Sequence, residues 1–114
     1  KEREQLGVVF DQVGSPTYAR DLARTIMQII DRGIVPGVYH FTNEGVCSWY
    51  DFTQAIHQLE GIDSCHVTPI HTEDYPVPAT RPHFSVLDKS KIKSTFGIEI
   101  RWWKDALKEC IKEL

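Results

Sequence analysis

Arg81 is the side chain of this 114-residue chain best equipped to hold an anion. It closes a proline-rich stretch, Tyr75-Pro76-Val77-Pro78-Ala79-Thr80-Arg81-Pro82. Prolines at this density favour extended backbone and forbid a helix. Stiff loops of this kind present side chains to ligands. A guanidinium held there can grip a phosphate bidentately, through charge-assisted hydrogen bonds of roughly 1.5–3 kcal/mol each. The plain alternative is a surface arginine paired with Glu73 or Asp74, and residue types alone do not choose between the two.

The second candidate is the turn Asp11-Gln12-Val13-Gly14-Ser15-Pro16-Thr17. It follows an apolar run, Leu6 to Phe10 broken by Gly7, and precedes a helical pattern. Gly14, Ser15 and Pro16 mark a tight turn. Thr17, or Ser15 if Pro16 takes the first helical position, can cap the helix. A strand that delivers small and hydroxyl residues to a helix N-terminus can offer N–H groups to an anion. It can equally be nothing more than a strand-to-helix connection.

Catalytic constellations are weak. Asp11 and Asp21 can be imagined as paired carboxylates, but Asp21 falls in the first turns of a helix, where a negative charge suits the dipole. Ser48 and His40 can be imagined as nucleophile and base, yet no nucleophile elbow surrounds the serine. No Gly-x-x-Gly-x-x-Gly turn or Walker loop occurs. The residues four after Tyr18, Tyr39, Tyr50 and Tyr75 are Leu22, Asn43, Gln54 and Ala79, so no tyrosine has a lysine one helical turn on. Such a lysine lowers the phenol's pKa and fits it to act as the acid in carbonyl reduction. The five histidines and three cysteines lack metal-ligand spacing, which argues against a metal site built wholly from this chain.

Around these residues the pattern alternates between strands and helices. The helix from about Tyr18 to Asp31 carries an apolar stripe of Ala19, Leu22, Ala23, Ile26, Ile29 and Ile30, and Gly33 ends it as a left-handed cap. Val38 to Thr42 reads as a short buried strand, and Asn43-Glu44-Gly45 as a turn. Ser48 and Asp51 form a variant capping box for a helix from Trp49 to about Glu60. Trp49, Phe52, Ile56 and Leu59 make its buried stripe, which assigns Trp49 and Phe52 to the core rather than to a base-stacking platform. Tyr50 lies off that stripe. His66 to Ile70 is an edge strand, because Pro69 cannot donate to a ladder. Asp88 caps a short helix from Lys89 to Phe96. The last helix, from about Trp102 to Glu113, carries a stripe of Trp103, Ala106, Leu107, Cys110, Ile111 and Leu114. Charged Lys1 to Gln5 fits the end of a preceding helix. The expectation is α/β, with about three short strands and four helices. Three strands make a thin sheet, which suits a piece whose strands partly belong to a sheet completed by another segment.

Length, an ordinary composition and a net charge of −3 fit one soluble globular domain. Without a basic face there is no footprint for nucleic acid. No apolar stretch approaches a membrane span. An odd cysteine count without close pairs suits a reducing cytoplasm. The start at Lys1 rather than Met points to a piece of a longer chain.

Asp11-Gln12-Val13-Gly14-Ser15-Pro16-Thr17-Tyr18-Ala19-Arg20-Asp21-Leu22-Ala23 closely resembles a segment of the dTDP-4-dehydrorhamnose reductases, within the extended short-chain dehydrogenase/reductase superfamily. His40 to Phe52, the proline-rich loop and Ser85 to Lys91 resemble further blocks of that family in the same order. The resemblance runs from about Gly7 to Leu114. It implies that residues 1–114 are one domain, the C-terminal substrate-binding lobe of an extended Rossmann-type reductase, without the N-terminal dinucleotide-binding domain. It implies that Arg81 contacts the diphosphate of a dTDP-sugar, and that Gln12, Gly14, Ser15 and Thr17 lie near that ligand. NADPH or NADH, and the catalytic tyrosine, would belong to the absent domain, leaving this piece inactive alone. The family can also form a homodimer with Mg2+ at its interface, for which Glu113 is a candidate carboxylate. A non-catalytic regulatory subunit on the same scaffold, like that of methionine adenosyltransferase, and a nucleotide-sugar epimerase or dehydratase are the alternatives.

Overall fold

The computed structural model describes residues 5–62, 64–75 and 77–114. The charged Lys1 to Arg3 and Glu4 fall outside it, as do Asp63 and Pro76. Gln5 opens a strand rather than closing a helix. The architecture is mixed α/β, as the alternating pattern predicts, but built from two small sheets.

Strand β1 (Gln5–Val9) pairs in parallel with β4 (His66–Ile70), in a register that sets Val8 against Pro69. Proline is tolerated there because each strand of a two-stranded sheet keeps one free edge. The second sheet consists of three two-residue strands: β2 (Val13–Gly14) in the middle, antiparallel to β3 (Cys47–Ser48) and parallel to β5 (Phe84–Ser85). None of these strands was expected. Two residues are too few to show any period, and each is specified by a partner at least 33 positions away.

Helix α2 (Trp49–Glu60) forms as its capping box dictates. Ser48 Oγ accepts the Asp51 N–H, and an Asp51 carboxylate oxygen accepts the Ser48 N–H, both at 3.0 Å. The helix packs on β1, β3, β4 and helix α4 (Trp103–Lys112). Cys47, Ala55, Trp103 and Leu107 form the core of that contact, with Phe52, Ile56, Leu59 and Ile111 against it. Burial, reinforced by the nearby Asp51 carboxylate, pushes the Cys47 thiol up to about 11, so it stays neutral and inert. Leu114, expected to extend the α4 stripe, lies fully exposed beyond the helix end.

A second core joins Ile92, Phe96 and Ile98, around α3 (Ser90–Phe96), to Ile29, Tyr39, Phe41 and Ile100. The helix starts one residue later than expected, with Lys89 rather than Asp88 at the N-cap and no side-chain cap bond; Asp88, one position further out, still accepts the Ser90 N–H at 2.9 Å.

Helix α1 (Ala19–Arg32) departs most from expectation. Its buried residues are Asp21 and Thr25, whereas Leu22, Ile26, Met27 and Ile30 of the apolar side stand exposed. Only Ile29 of the expected stripe reaches a core. The cap also differs: the N-cap is Tyr18 with no side-chain bond of its own, and Asn43 Oδ1 accepts the Tyr18 N–H at 2.8 Å instead of Thr17 or Ser15 acting as cap. Gly33 follows with a positive φ of 99° but outside the left-handed helical basin. Val38 to Thr42 is not a strand. It has extended-type residues but no partner strand among the described residues, and Val38 is exposed.

Candidate functional site: a cleft assembled by three two-residue strands

The second sheet exists to bring distant loops together. β2 lies within the Gln12–Thr17 turn. β5 follows directly on the proline-rich loop, and the Val13 N–H donates to the His83 carbonyl at 2.7 Å. β3 runs straight into the first turn of α2. Pairing the three strands therefore sets the turn, the Arg81 loop and the α2 N-terminus around one cleft of about 470 Å³. That is the size range of small-molecule sites.

All five residues expected to meet the ligand line this cleft: Gln12, Gly14, Ser15, Thr17 and Arg81. Pro82 and Ser85 line it beside Arg81, and Cys47, Ser48, Trp49 and Phe52 line it from the segment that pairs with the other edge of β2. Arg81 is exposed and, among the described residues, has no ion pair, so the expected alternatives Glu73 and Asp74 do not hold it. Thr17 is also exposed. Ser15 and Gln12 are already engaged: the Ser15 hydroxyl donates to the Gly45 carbonyl at 2.7 Å, and Gln12 Nε2 donates to Thr72 Oγ1 at 3.3 Å. Their side chains are thereby fixed in place beside the cleft. Gly14 sits where a Cβ would come within 3.0 Å of the Ser85 carbonyl oxygen, so a larger residue would push β5 and the Arg81 loop away.

The cleft is braced from behind. Asp11, next to Gln12, accepts both the backbone N–H and the hydroxyl of Thr72. These bonds hold its carboxyl below the ordinary range. The turn is pinned from the other side by Asn43, which is 1% exposed. Its N–H donates to the Pro16 carbonyl, and Nδ2 donates to Asp21 at 2.8 Å. Asp21 in turn receives two hydrogen bonds from Arg101, each 2.8 Å. Burial works to raise the Asp21 pKa, but the Arg101 and Asn43 hydrogen bonds outweigh it and hold the carboxyl below its ordinary value. Glu44 takes Lys93 and the buried Lys89, and stays low for the same reason: hydrogen bonds from the two ammonium groups, Lys93 first, overcome burial.

The weaker catalytic readings dissolve. Asp11 and Asp21 are held by separate partners, and Ser48 is consumed as a helix cap. Trp49 is the residue that helical spacing misplaced: it is 59% exposed and lines the cleft instead of the core. The Tyr50 hydroxyl accepts from Gln54 at 2.8 Å. Glu113 is 2.5 Å from Arg20, and no three His, Cys, Asp or Glu side chains converge among the described residues. One carboxylate already neutralised by arginine does not fit a Mg2+ site on this chain alone. The chain likewise supplies no glycine-rich turn for a dinucleotide.

The model of the RmlD substrate binding domain family matches residues 1–114. The chain is 45% identical over 120 residues to a dTDP-4-dehydrorhamnose reductase of Aggregatibacter actinomycetemcomitans, covering 95% of this chain and 40% of that protein. It is 40% identical over 111 residues to the spore coat polysaccharide biosynthesis protein SpsK of Bacillus subtilis, covering 97% of this chain and 38% of that one. Among solved structures, a dTDP-4-dehydrorhamnose reductase of Clostridium acetobutylicum superposes with a TM-score of 0.90 at 46% identity, over 97% of this chain and 39% of that one. A Bacillus anthracis dTDP-4-dehydrorhamnose reductase in complex with NADP gives 0.88 at 33% identity, over 98% and 38%. The chain thus spans about two-fifths of the length of these relatives. It belongs to the RmlD substrate binding domain family.

Proposed function

We propose that residues 1–114 form a single substrate-binding domain that holds a dTDP-sugar for an NADPH-dependent reductase, which converts dTDP-4-dehydro-L-rhamnose to dTDP-L-rhamnose for surface polysaccharide. The observation that carries this reading is the cleft. The two segments that the family resemblance marks as ligand-facing, the Gln12–Thr17 turn and the Arg81 loop, converge on it, and its one arginine is free to take an anion.

In this reading Arg81 binds the diphosphate, and Ser15 and Thr17 face the ligand beside it. Gly14 lets the backbone approach closely. The chain binds and orients; it donates neither hydride nor proton. The hydride would come from NADPH, and the proton from an acid, both held by an N-terminal dinucleotide-binding domain rather than by residues of this chain. The domain alone is therefore inactive. Three free cysteines, two of them buried, suit a reducing cytoplasm. Among the described residues no helix is long and apolar enough to cross a membrane.

Arg81→Ala in the intact reductase tests the assignment. Loss of a charge-assisted contact to the diphosphate raises KM for the dTDP-sugar at least tenfold, with KM for NADPH unchanged and Arg81→Lys intermediate. An unchanged KM for the sugar nucleotide refutes it.

A further inference from the structure

The loop that carries Arg81 has both of its feet on one short stretch of chain, residues 11–14. At its far end the Val13 N–H donates to the His83 carbonyl at 2.7 Å, and Val13 and Gly14 pair with Phe84 and Ser85. At its near end the short helical turn Thr72–Asp74 leads into the proline-rich stretch. There the Thr72 N–H and hydroxyl both donate to the Asp11 carboxylate, the N–H at 2.9 Å, and the hydroxyl oxygen accepts from Gln12 Nε2 at 3.3 Å. The Tyr75 N–H closes the turn on the Thr72 carbonyl at 3.1 Å. His71 Nδ1 approaches the carboxylate only to 3.7 Å, beyond hydrogen-bond distance, so Thr72 is the partner that fastens Asp11.

Arg81 has no ion pair of its own among the described residues, so the backbone on either side of it sets its place at the cleft. A loop held at one end meets its ordering cost when a ligand binds; a loop held at both ends has met that cost in folding. The far foot is strand pairing, whereas the near foot is a clasp made through side chains, those of Asp11, Gln12 and Thr72. Neither Asp11 nor Thr72 lines the cleft. We propose that the Asp11–Thr72 clasp is the positioning element for Arg81, closing the loop so that the guanidinium is held ready for a diphosphate that the clasp itself never touches. The inference rests on the reading of Arg81 as the diphosphate contact, and it makes Asp11 and Thr72 positioning residues rather than binding ones.

The test is a calorimetric titration of the intact reductase with dTDP, for wild type and Thr72→Val, each with and without Arg81→Ala. Valine keeps the shape of threonine and its N–H bond to Asp11 but removes the hydroxyl. Thr72→Val weakens dTDP binding roughly fivefold and raises KM for the dTDP-sugar by a similar factor with kcat unchanged; Thr72→Ser restores both. Because the clasp acts through Arg81, the same substitution made in Arg81→Ala changes the dTDP Kd by less than about twofold. Equal weakening in the two backgrounds overturns the proposal, since Thr72 then acts through Gln12 or the fold at large, and so does failure of Thr72→Ser to restore binding. Unaltered dTDP binding by Thr72→Val beside a clear loss in Arg81→Ala also overturns it, while leaving Arg81 as the diphosphate contact. If Arg81→Ala binds dTDP like wild type, the underlying reading of the cleft fails and the proposal with it.

Discussion

Asp21 shows how much a single residue can hide. From the sequence it is an acidic residue in the first turn of a helix, and a favourable dipole interaction is explanation enough. In the fold it is one of the few buried groups of α1. It accepts two hydrogen bonds from Arg101 and one from Asn43, across 80 and 22 positions of sequence. Nothing local could announce those partners. Removing its charge weakens both bonds to Arg101, which is about a third exposed and keeps Glu109 at 3.1 Å, so Asp21→Asn costs roughly 1–2 kcal/mol of stability at neutral pH, read by chemical denaturation. The sign of the pH dependence follows from the lowered carboxyl pKa. Its stabilisation is complete above the ordinary carboxylate value of about 4 and is lost as pH falls through the lower folded value. The wild-type protein therefore has a steeper acid limb of stability than Asp21→Asn. Equal stability of the two at pH 7 would show that the ion pair contributes nothing.

At the scale of elements, the legible parts are those whose specification is local. The Ser48 capping box and the β1 and β4 strands stand within a residue of where spacing puts them, because the cap chemistry and the apolar runs are local, although the two strands find each other across 61 positions. The three strands that build the cleft were not legible, since two residues carry no period. What could be read was their setting, a turn and a proline-rich loop of the family pattern, and that setting named five of the thirteen residues that line the cleft, but none from the start of α2. The α1 stripe was legible as a stripe, but its burial was not. Leu22, Ile26, Met27 and Ile30 form an apolar face that stands exposed among the described residues. A period of 3.6 reports only that a face is apolar, not whether its cover lies in the same segment. An exposed face of this kind drives association. The isolated 114-residue chain is expected to self-associate in sedimentation experiments, and Ile26→Glu with Ile30→Glu shifts it toward monomer. A monomeric wild-type chain at tens of micromolar would contradict this.

The whole molecule is elongated, with extents of 50 × 33 × 20 Å. Its radius of gyration of 16.6 Å exceeds the roughly 13 Å of a compact domain of this length. The same geometry leaves α1 bare and Val38 to Thr42 without a strand partner, and we read both as the face for a dinucleotide-binding domain. The relatives, more than twice as long, have room for one.

The central claim is that three distant segments act as one ligand site. Amide hydrogen exchange of the intact protein with and without dTDP measures this directly. The account predicts slowed exchange confined to residues 12–17, 47–52 and 81–85, together and at one dTDP concentration. Protection elsewhere with these three segments unchanged would contradict it.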